Sequence, residues 1–137
     1  ALPEYKTKDS SGLDLRAYLP DGPLTLQPGQ RRVIPTGLYM EIEPGYEGQV
    51  RPRSGRAVKQ GLTVINSPGT IDADYRGEVG VPLINLSTEP QTIENGDRIA
   101  QIVFSAYAKA EITEVGAIEE LSDTERGAGG FGHTGKK

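Results

Sequence analysis

Apolar and polar side chains alternate along several stretches of the chain, with the period of two that is typical of half-buried β-strands. The apolar positions are Leu13, Leu15, Ala17 and Leu19; Leu38, Met40 and Ile42; Val79, Val81 and Leu83; and a more continuous run from Ile99 to Phe104. Turn-forming pairs such as Pro28-Gly29, Pro44-Gly45 and Asn95-Gly96 separate these stretches. The pattern predicts an all-β barrel or sandwich of short strands.

The sequence leaves room for little helix. Glycine (18) and proline (10) are frequent among the 137 residues, and both oppose long helices. Residues 56–60 predict one short helix with Gly61 as its C-terminal cap, and residues 117–121 are ambiguous. From residue 126 the chain has no strand pattern and much glycine. We therefore expect one β domain over residues 1–125 and a mobile tail over residues 126–137.

Composition and charge exclude several functional classes. The net charge of -4 argues against a general nucleic-acid binder, which is usually basic. The absence of cysteine excludes disulfides and the cysteine-ligated zinc deaminases. Because no membrane-spanning apolar run or secretory signal is visible, we expect a cytoplasmic protein, or a nuclear or organellar one in a eukaryote. The apolar fraction of 35% is low for one core, which suggests that an oligomer interface contributes.

Five segments could carry chemistry. In RPRSGRA (residues 51–57), arginines and a helix start could bind phosphate, although a solvated basic turn fits as well. In NSPGTIDADYRGE (residues 66–78), Asp72 and Asp74 would share a face if they lay in a strand. There they could hold a metal or activate water, or simply decorate a polar hairpin.

The glycine-rich RGAGGFGHTG (residues 126–135) could wrap phosphates with its main-chain N–H groups, with Phe131 stacking on a base; otherwise it is a disordered tail. In GDRIAQIVF (residues 96–104), Gln101 needs partners, either a ligand or a neighbouring main chain. In SGLDLRA (residues 11–17), Asp14 lies on the polar side of a strand, where a surface role is the simpler interpretation.

Taken together and in this order, the five segments resemble the five motifs of the trimeric dUTPase family, and the resemblance covers nearly the whole chain. It implies a jelly-roll-like β fold, a homotrimer with active sites shared between subunits, Mg²⁺ as cofactor, and hydrolysis of dUTP to dUMP and pyrophosphate. Such an enzyme keeps uracil out of DNA and supplies dUMP for thymidylate synthesis. No nucleic acid or membrane partner is implied. One departure is Arg56, which stands where the second motif often has an apolar residue. This extra cation could strengthen phosphate binding or face solvent.

The resemblance also implies a role for each motif residue. Asp72 is expected to activate the attacking water. Asn66 and the main chain at Gly80 are expected to bind uracil, Tyr75 to pack under the deoxyribose, and Thr70 and Ile71 to line the pocket. The expected phosphate ligands are Arg53, Ser54, Gly55, Gln101 and, from the tail, Arg126. Phe131 is expected to cover the uracil, while Gly132, His133 and Thr134 close over the phosphates as a lid. Asp14 is expected to lie near the water shell of the metal or to support the site.

Two alternatives stay open at the level of sequence. A dCTP deaminase of the same superfamily would share much of this pattern, although the Asp-Tyr-Arg-Gly run and the complete tail favour dUTP hydrolysis. A catalytically silent trimer that serves as a nucleotide sensor or a protein-binding module is the second. The completeness of the motifs argues against it.

Overall fold

The computed structural model describes residues 2–135, and the first residue and the last two lie outside it. Nine short strands, one α-helix and one 3₁₀ turn follow one another along the chain. Their bounds are β1 Gly12–Arg16, β2 Leu24–Leu26, β3 Arg31–Pro35, β4 Tyr46–Arg51, α1 Ser54–Gln60, β5 Leu62–Val64, β6 Gly69–Ile71, β7 Gly80–Asn85, β8 Gln91–Ile93, β9 Arg98–Ala106 and the 3₁₀ turn Ile118–Glu120. The all-β class with a single short α-helix is confirmed.

The strands form three sheets, and every pairing is antiparallel. The largest sheet has the order β1-β9-β4-β6, the second has the order β3-β7-β5, and β2 pairs with β8. Within residues 2–135 these sheets do not join into a closed barrel, so the jelly-roll-like sandwich is the correct form of the two expected. Strand β9 lies between β1 and β4 and thereby links the first and second motifs.

The core is built from the inward-facing positions of the alternating strands. Its members are Leu15, Ala17, Leu26, Ile34, Val50, Leu62, Val64, Val79, Val81, Leu83, Ile93, Ile99, Ala100 and Ile102. Burial of these side chains is the main favourable contribution to folding. The sheets are therefore rigid supports for the residues at their edges and ends. No helix in the described part of the chain is long and apolar enough to cross a membrane.

The strand expected at residues 38–42 is absent, although its alternation is real. Ile42 is buried, Leu38 and Met40 are half-buried, and Tyr39 is exposed. The segment follows the core without pairing in a ladder; a hydrogen bond from the Val79 N–H to the Leu38 carbonyl is its main-chain link to the strand region of β7. Alternating burial and sheet hydrogen bonding are separate properties, and here only the first is present.

The predicted helix is present and ends at the predicted residue, but it begins two residues earlier than predicted. Helix α1 begins at Ser54 rather than Arg56 and ends at Gln60. Gly61 adopts the left-handed conformation with φ of 64°, and its N–H bonds the carbonyls of Arg56 and Ala57, which confirms the predicted cap. The ambiguous segment at residues 117–121 contains only the exposed 3₁₀ turn.

Candidate active site

Three of the five motifs converge beside strand β9. The Arg53 Nε donates to Asp14 Oδ1 at 2.8 Å, and the Arg98 Nη1 lies 3.4 Å from Asp14 Oδ2. The Asp14 side chain is only 15% exposed, so this carboxylate is largely enclosed by the two guanidinium groups. Asp14 therefore fixes Arg53 within the second motif. The sequence alone favoured a surface aspartate near an arginine; the contact with arginine is present, but the side chain is largely enclosed.

Gln101 completes this arrangement from the middle of β9. Its register partners are Asp14 in β1 and Arg51 in β4, and its Nε2 donates to the Pro52 carbonyl at 3.0 Å. A Cβ at Gly12 would collide with the Gln101 side-chain oxygen, so the glycine of the first motif makes room for the glutamine of the fourth. We call Asp14, Arg53, Arg98 and Gln101 the arginine cluster.

The Arg56 side chain is not directed to solvent, and it reaches the arginine cluster through the main-chain carbonyl of Arg98. Its side chain is 14% exposed and pairs with Asp97 Oδ2 at 2.8 Å. It also donates to the Arg98 carbonyl at 3.0 Å and to Gln60 Oε1 at 3.1 Å. Burial alone would raise the pKa of the Asp97 carboxyl, but hydrogen bonds from the Glu94 N–H and Arg56, with the charge of Arg56, lower it overall. The Arg56–Asp97 ion pair is therefore maintained at neutral pH.

Ser54 and Gly55 lie between these two anchored arginines and are exposed. A Cβ built at Gly55 would meet no atom within 4 Å, and no side chain caps the start of helix α1. The first turn thus presents a hydroxyl and main-chain N–H groups to open space. Donors of this kind suit anionic oxygens.

Asp72 and Asp74 of the third motif lie in a turn after β6 and not in a strand that would align the two acids. Residues 66–80, which we call the third-motif loop, run from the end of β5 through β6 to the start of β7. Asp72 and Asp74 fall in a tight turn closed by the Tyr75 N–H on the Asp72 carbonyl at 3.1 Å. The condition for a shared face, an extended strand through both residues, is therefore not met, because the chain reverses between them, as in the polar hairpin that the sequence also allowed.

Tyr75 is held beside Asp72 by a bond of its own. Its hydroxyl donates to the Glu78 carbonyl at 2.9 Å, and a Cβ at Gly77 would collide with that hydroxyl. The glycine of the Asp-Tyr-Arg-Gly run is thus explained by the space that the tyrosine ring needs. The ring remains 42% exposed, so one surface is open to a ligand.

The other third-motif residues lie along the same loop. Asn66 is exposed, and its Nδ2 would be 3.2 Å from a Cβ at Gly69. Thr70 and Ile71 pair with Gln49 and Gly48 across β4. Gly80 opens β7 opposite Pro35. The loop therefore holds Asn66, Thr70, Ile71, Asp72 and Tyr75 on one continuous support next to β7.

The tail makes bonds within itself. Arg126 Nε donates to the Gly129 carbonyl at 2.7 Å, and a turn from the His133 N–H to the Gly130 carbonyl follows at 2.7 Å. Phe131 is fully exposed, as are Gly132 and Thr134. Within residues 2–135, the hydrogen bonds from the tail to the rest of the chain are those of the Gly127 N–H to the adjoining Thr124, and none reaches a strand of the β domain. Lys136 and Lys137, which belong to the expected lid, and Ala1 lie outside the described residues.

One chain thus carries the expected site in three separate parts. The arginine cluster lies on the β9 side of β4, and the third-motif loop lies on the opposite side, since β4 is flanked by β9 and β6. In the part of the chain that the structure covers, no hydrogen bond or ion pair joins Asn66, Asp72 or Tyr75 to Arg53 or Gln101. No hydrogen bond or ion pair joins the described residues of the tail to either part.

Sequence reasoning missed several residues that position this site. Asp97 and Arg98 belong to the fourth motif itself, where only Gln101 was singled out, and their charge was the one signal that could have marked them. The roles of Gly12 and Gly77 as spacers for Gln101 and Tyr75 had no local signal, since both depend on side chains placed by tertiary contacts.

Comparisons of the sequence and of the structure with known proteins both identify dUTPases as relatives. The family model described as dUTPase matches residues 1–135. A deoxyuridine 5'-triphosphate nucleotidohydrolase of Anaeromyxobacter sp. (strain Fw109-5) is 56% identical over 135 residues, covering 98% of this chain and 88% of the relative. A dUTPase of Staphylococcus bacteriophage 80alpha, solved with dUpNHpp, superposes with a TM-score of 0.86 at 28% identity, covering 98% of this chain and 92% of that one.

A second solved structure, the dUTPase of phage phi11 of S. aureus, was reported for the coordination of a structural Mg(II) ion. It superposes with a TM-score of 0.76 at 25% identity, covering 87% of this chain and 92% of that one. The similarity therefore spans the β domain in both sequence and structure.

Proposed function

Because this chain belongs to the dUTPase family and hydrolyses dUTP to dUMP and pyrophosphate, we propose that each of its active sites is assembled from different subunits of a homotrimer. One subunit supplies the third-motif loop, and another supplies the arginine cluster. The tail closes the site. This arrangement gives all five motifs a common substrate although they do not meet within one chain.

The observation that carries the proposal is the separation of the three parts. Asp72, Tyr75 and Asn66 are exposed on one side of β4, while Arg53 and Gln101 are anchored on the other. A triphosphate nucleotide needs a base pocket, a sugar pocket and several phosphate donors within its own length. Assembly around a symmetry axis brings such parts together.

The third-motif loop is proposed to select the nucleoside. Asn66 and the main chain at Gly80 hydrogen-bond the uracil, while Thr70 and Ile71 line its pocket. The open face of Tyr75 packs under the deoxyribose, where a 2′-hydroxyl would collide with the ring. The bond from its hydroxyl to Glu78 supports this role, since it fixes the ring before substrate arrives.

Asp72 is proposed to act as the general base. Its exposed carboxylate accepts a proton from a water molecule as the water oxygen attacks the α-phosphorus of dUTP. The α–β phosphoanhydride bond breaks, and pyrophosphate leaves with the bonding electron pair. The turn that positions Asp72 next to Tyr75 supports this role, because sugar and water are then held by one rigid loop.

Arg53, Ser54, Gly55 and Gln101 are proposed to bind the phosphates, with Arg126 reaching the γ-phosphate. Preorganised donors of this kind stabilise the charge that develops on the departing oxygens. Phe131 would cover the uracil while Gly132, His133 and Thr134 close over the phosphates. Ordering a glycine-rich lid costs entropy, so it closes only on a ligand with a full set of contacts.

Mg²⁺ is proposed to enter this site bound to the phosphates of the substrate. Among residues 2–135 there is no group of three His, Asp or Glu side chains that could hold a metal. Mg²⁺ is commonly bound by substrate phosphates and waters with few carboxylates, and when bound it offsets phosphate charge. Both Asp14 oxygens are engaged by arginines, which favours Asp14 as a support for Arg53 over a direct ligand.

The trimer can be measured in solution. Residues 107–125 are exposed along their whole length and carry Ile112, Val115, Ile118 and Leu121, which a partner subunit would cover. We expect light scattering after gel filtration to give about three times 14.7 kDa, near 44 kDa. A stable 14.7 kDa monomer with full activity would contradict the shared site.

Sugar selection tests the placement of Tyr75. Tyr75→Ala removes the ring, so kcat/KM for UTP relative to dUTP should rise by about tenfold or more. Tyr75→Phe keeps the ring and loses only the bond to Glu78, and it should preserve most of the discrimination. Steady-state kinetics with both nucleotides provide the measurement. An unchanged ratio in Tyr75→Ala would remove the ring from the sugar pocket.

Product analysis separates the shared-site enzyme from its alternatives. Incubation with Mg²⁺ and, separately, dUTP, dCTP, dTTP and UTP should release pyrophosphate and a monophosphate rapidly from dUTP alone. Ammonia from dCTP would reveal a deaminase, and binding of dUTP without turnover would reveal a sensor.

A cytoplasmic location, which the cysteine-free composition supports, also stays a prediction.

A further inference from the structure

The Arg56–Asp97 ion pair closes a ring of interactions around the second motif. Arg56 stands where that motif often has an apolar side chain. From it, the ring runs through Asp97 to the adjacent Arg98, then to Asp14 and back to Arg53. Arg53 and Arg56 are three residues apart, so both ends of the ring lie on the same short segment.

This ring restrains the segment from both sides of Ser54 and Gly55. Arg53 is held through Asp14, and Pro52 is held through Gln101. Arg56 is the corresponding anchor on the helix side, with bonds to Asp97 and to the Arg98 carbonyl. Ser54 and Gly55 themselves are exposed between these anchors.

The turn that carries Asp97, which forms part of this ring, is fixed by several hydrogen bonds. Asp97 Oδ2 also accepts from the Glu94 N–H at 3.0 Å, which closes the turn before β9. The Ala17 N–H donates to the Asp97 carbonyl, and the Gly96 N–H donates to the Ala17 carbonyl, each at 2.8 Å. Arg56 is therefore tied to a turn that is itself fixed to the end of β1. A guanidinium held in this way has lost most of its freedom before substrate binds.

We propose that Arg56 is a positioning residue for substrate phosphates, which acts through its ion pair with Asp97 and not by contact with the nucleotide. The pair sets the first turn of α1 so that Ser54 and Gly55 face the triphosphate at the right distance from Arg53. This role rests on the proposed phosphate-binding function of the second motif. It predicts an effect on substrate affinity and little effect on the chemical step.

The test compares variants of the full-length protein in dUTP kinetics and thermal unfolding. Arg56→Ala and Asp97→Asn should each raise KM about five- to tenfold with kcat within about twofold, because the chemical groups stay in place. Arg56→Lys keeps the charge opposite Asp97 and should recover part of the affinity. The double variant Arg56→Ala/Asp97→Asn should be no worse than either single one, since both remove the same pair.

Lys59→Ala is the matched control, because it removes one positive charge from an exposed position of the same helix. It should leave KM unchanged. An equal rise of KM in Lys59→Ala would overturn the proposal in favour of a general charge effect. An unchanged KM in Arg56→Ala, or a parallel fall of kcat and melting temperature in every ring variant, would overturn it as well. The enzyme function is tested separately, by hydrolysis of dUTP by the unmodified protein, and that result does not depend on the behaviour of these variants.

Discussion

Asp72→Asn should bind dUTP normally and lose turnover by about 10²- to 10⁴-fold, the range typical for removal of a general base. The amide keeps the size of the side chain and can still hold a water molecule, but it cannot accept the proton. The measurement is kcat from steady-state kinetics together with the Kd of a non-hydrolysable imido analogue of dUTP. We expect the kcat to collapse while the Kd changes little.

Asp74→Asn is the matched control for this experiment. Asp74 lies in the same tight turn as Asp72, and both side chains are exposed. The substitution removes an equal charge two residues away, so it reproduces any general electrostatic effect on the phosphates. It should retain nearly full turnover. Near-normal rates in Asp72→Asn, or equal losses in both variants, would take the general-base role away from Asp72.

Deletion of residues 126–137 should lower kcat/KM for dUTP by about a hundredfold or more while the trimer persists. The tail is expected to supply Arg126 to the γ-phosphate and Phe131 to the base and to exclude water from the closed site. The described tail makes no hydrogen bond or ion pair with the strands of its own β domain, so its loss should not unfold the sheets. Kinetics and light scattering on the same preparation measure both quantities.

A shorter deletion tests whether the fifth motif itself matters. Removal of residues 136–137 leaves every residue of RGAGGFGHTG in place and should keep kcat/KM near the wild-type value. If the long deletion dissociated the trimer, the tail would be a structural element. If it left activity unchanged, the lid would have no role in catalysis.

The strands that the sequence predicted are those in which inward positions carry large apolar side chains. Strand β4 was not found, because its inward position at residue 48 is a glycine. A Cβ there would be 2.9 Å from Ile102 Cδ1 and 3.3 Å from Ile71 Cβ, so the neighbouring strands fill the space that a side chain would take. Strands β2, β5, β6 and β8 have three residues each, too few for a period of two to stand out.

The candidate site shows the same limit. The order of the motifs identified the family, but the sequence could not show which side chains form ion pairs or hydrogen bonds with one another. Arg56 and Asp97 are 41 residues apart, and their pairing depends on how α1 lies against the turn before β9. Asp14 likewise acquired its two arginine partners only through the pairing of both β1 and β4 with β9. Local patterns carry composition and period, whereas these contacts follow from tertiary packing.

The arrangement of Asp72 and Asp74 depended on a related feature that the sequence left open. Alternation predicts a shared face only if the chain is extended, and the Tyr75 N–H bond to the Asp72 carbonyl reverses it. This turn separates the two acids. It argues against a paired-carboxylate metal site in the third motif and is compatible with the general-base role proposed for Asp72.

Mixed trimers test the shared active site most directly. Asp72→Asn subunits and Arg53→Ala subunits are each expected to be inactive, and they can be denatured together in equal amounts and refolded, with wild-type protein treated in parallel. If Asp72 and Arg53 of one site come from different subunits, about a quarter of the sites in random trimers contain both, and activity should return to about a quarter of the wild-type value. If the mixture stays as inactive as its components while the refolded wild type is active, Asp72 and Arg53 act within one subunit and the proposed division of the site is wrong.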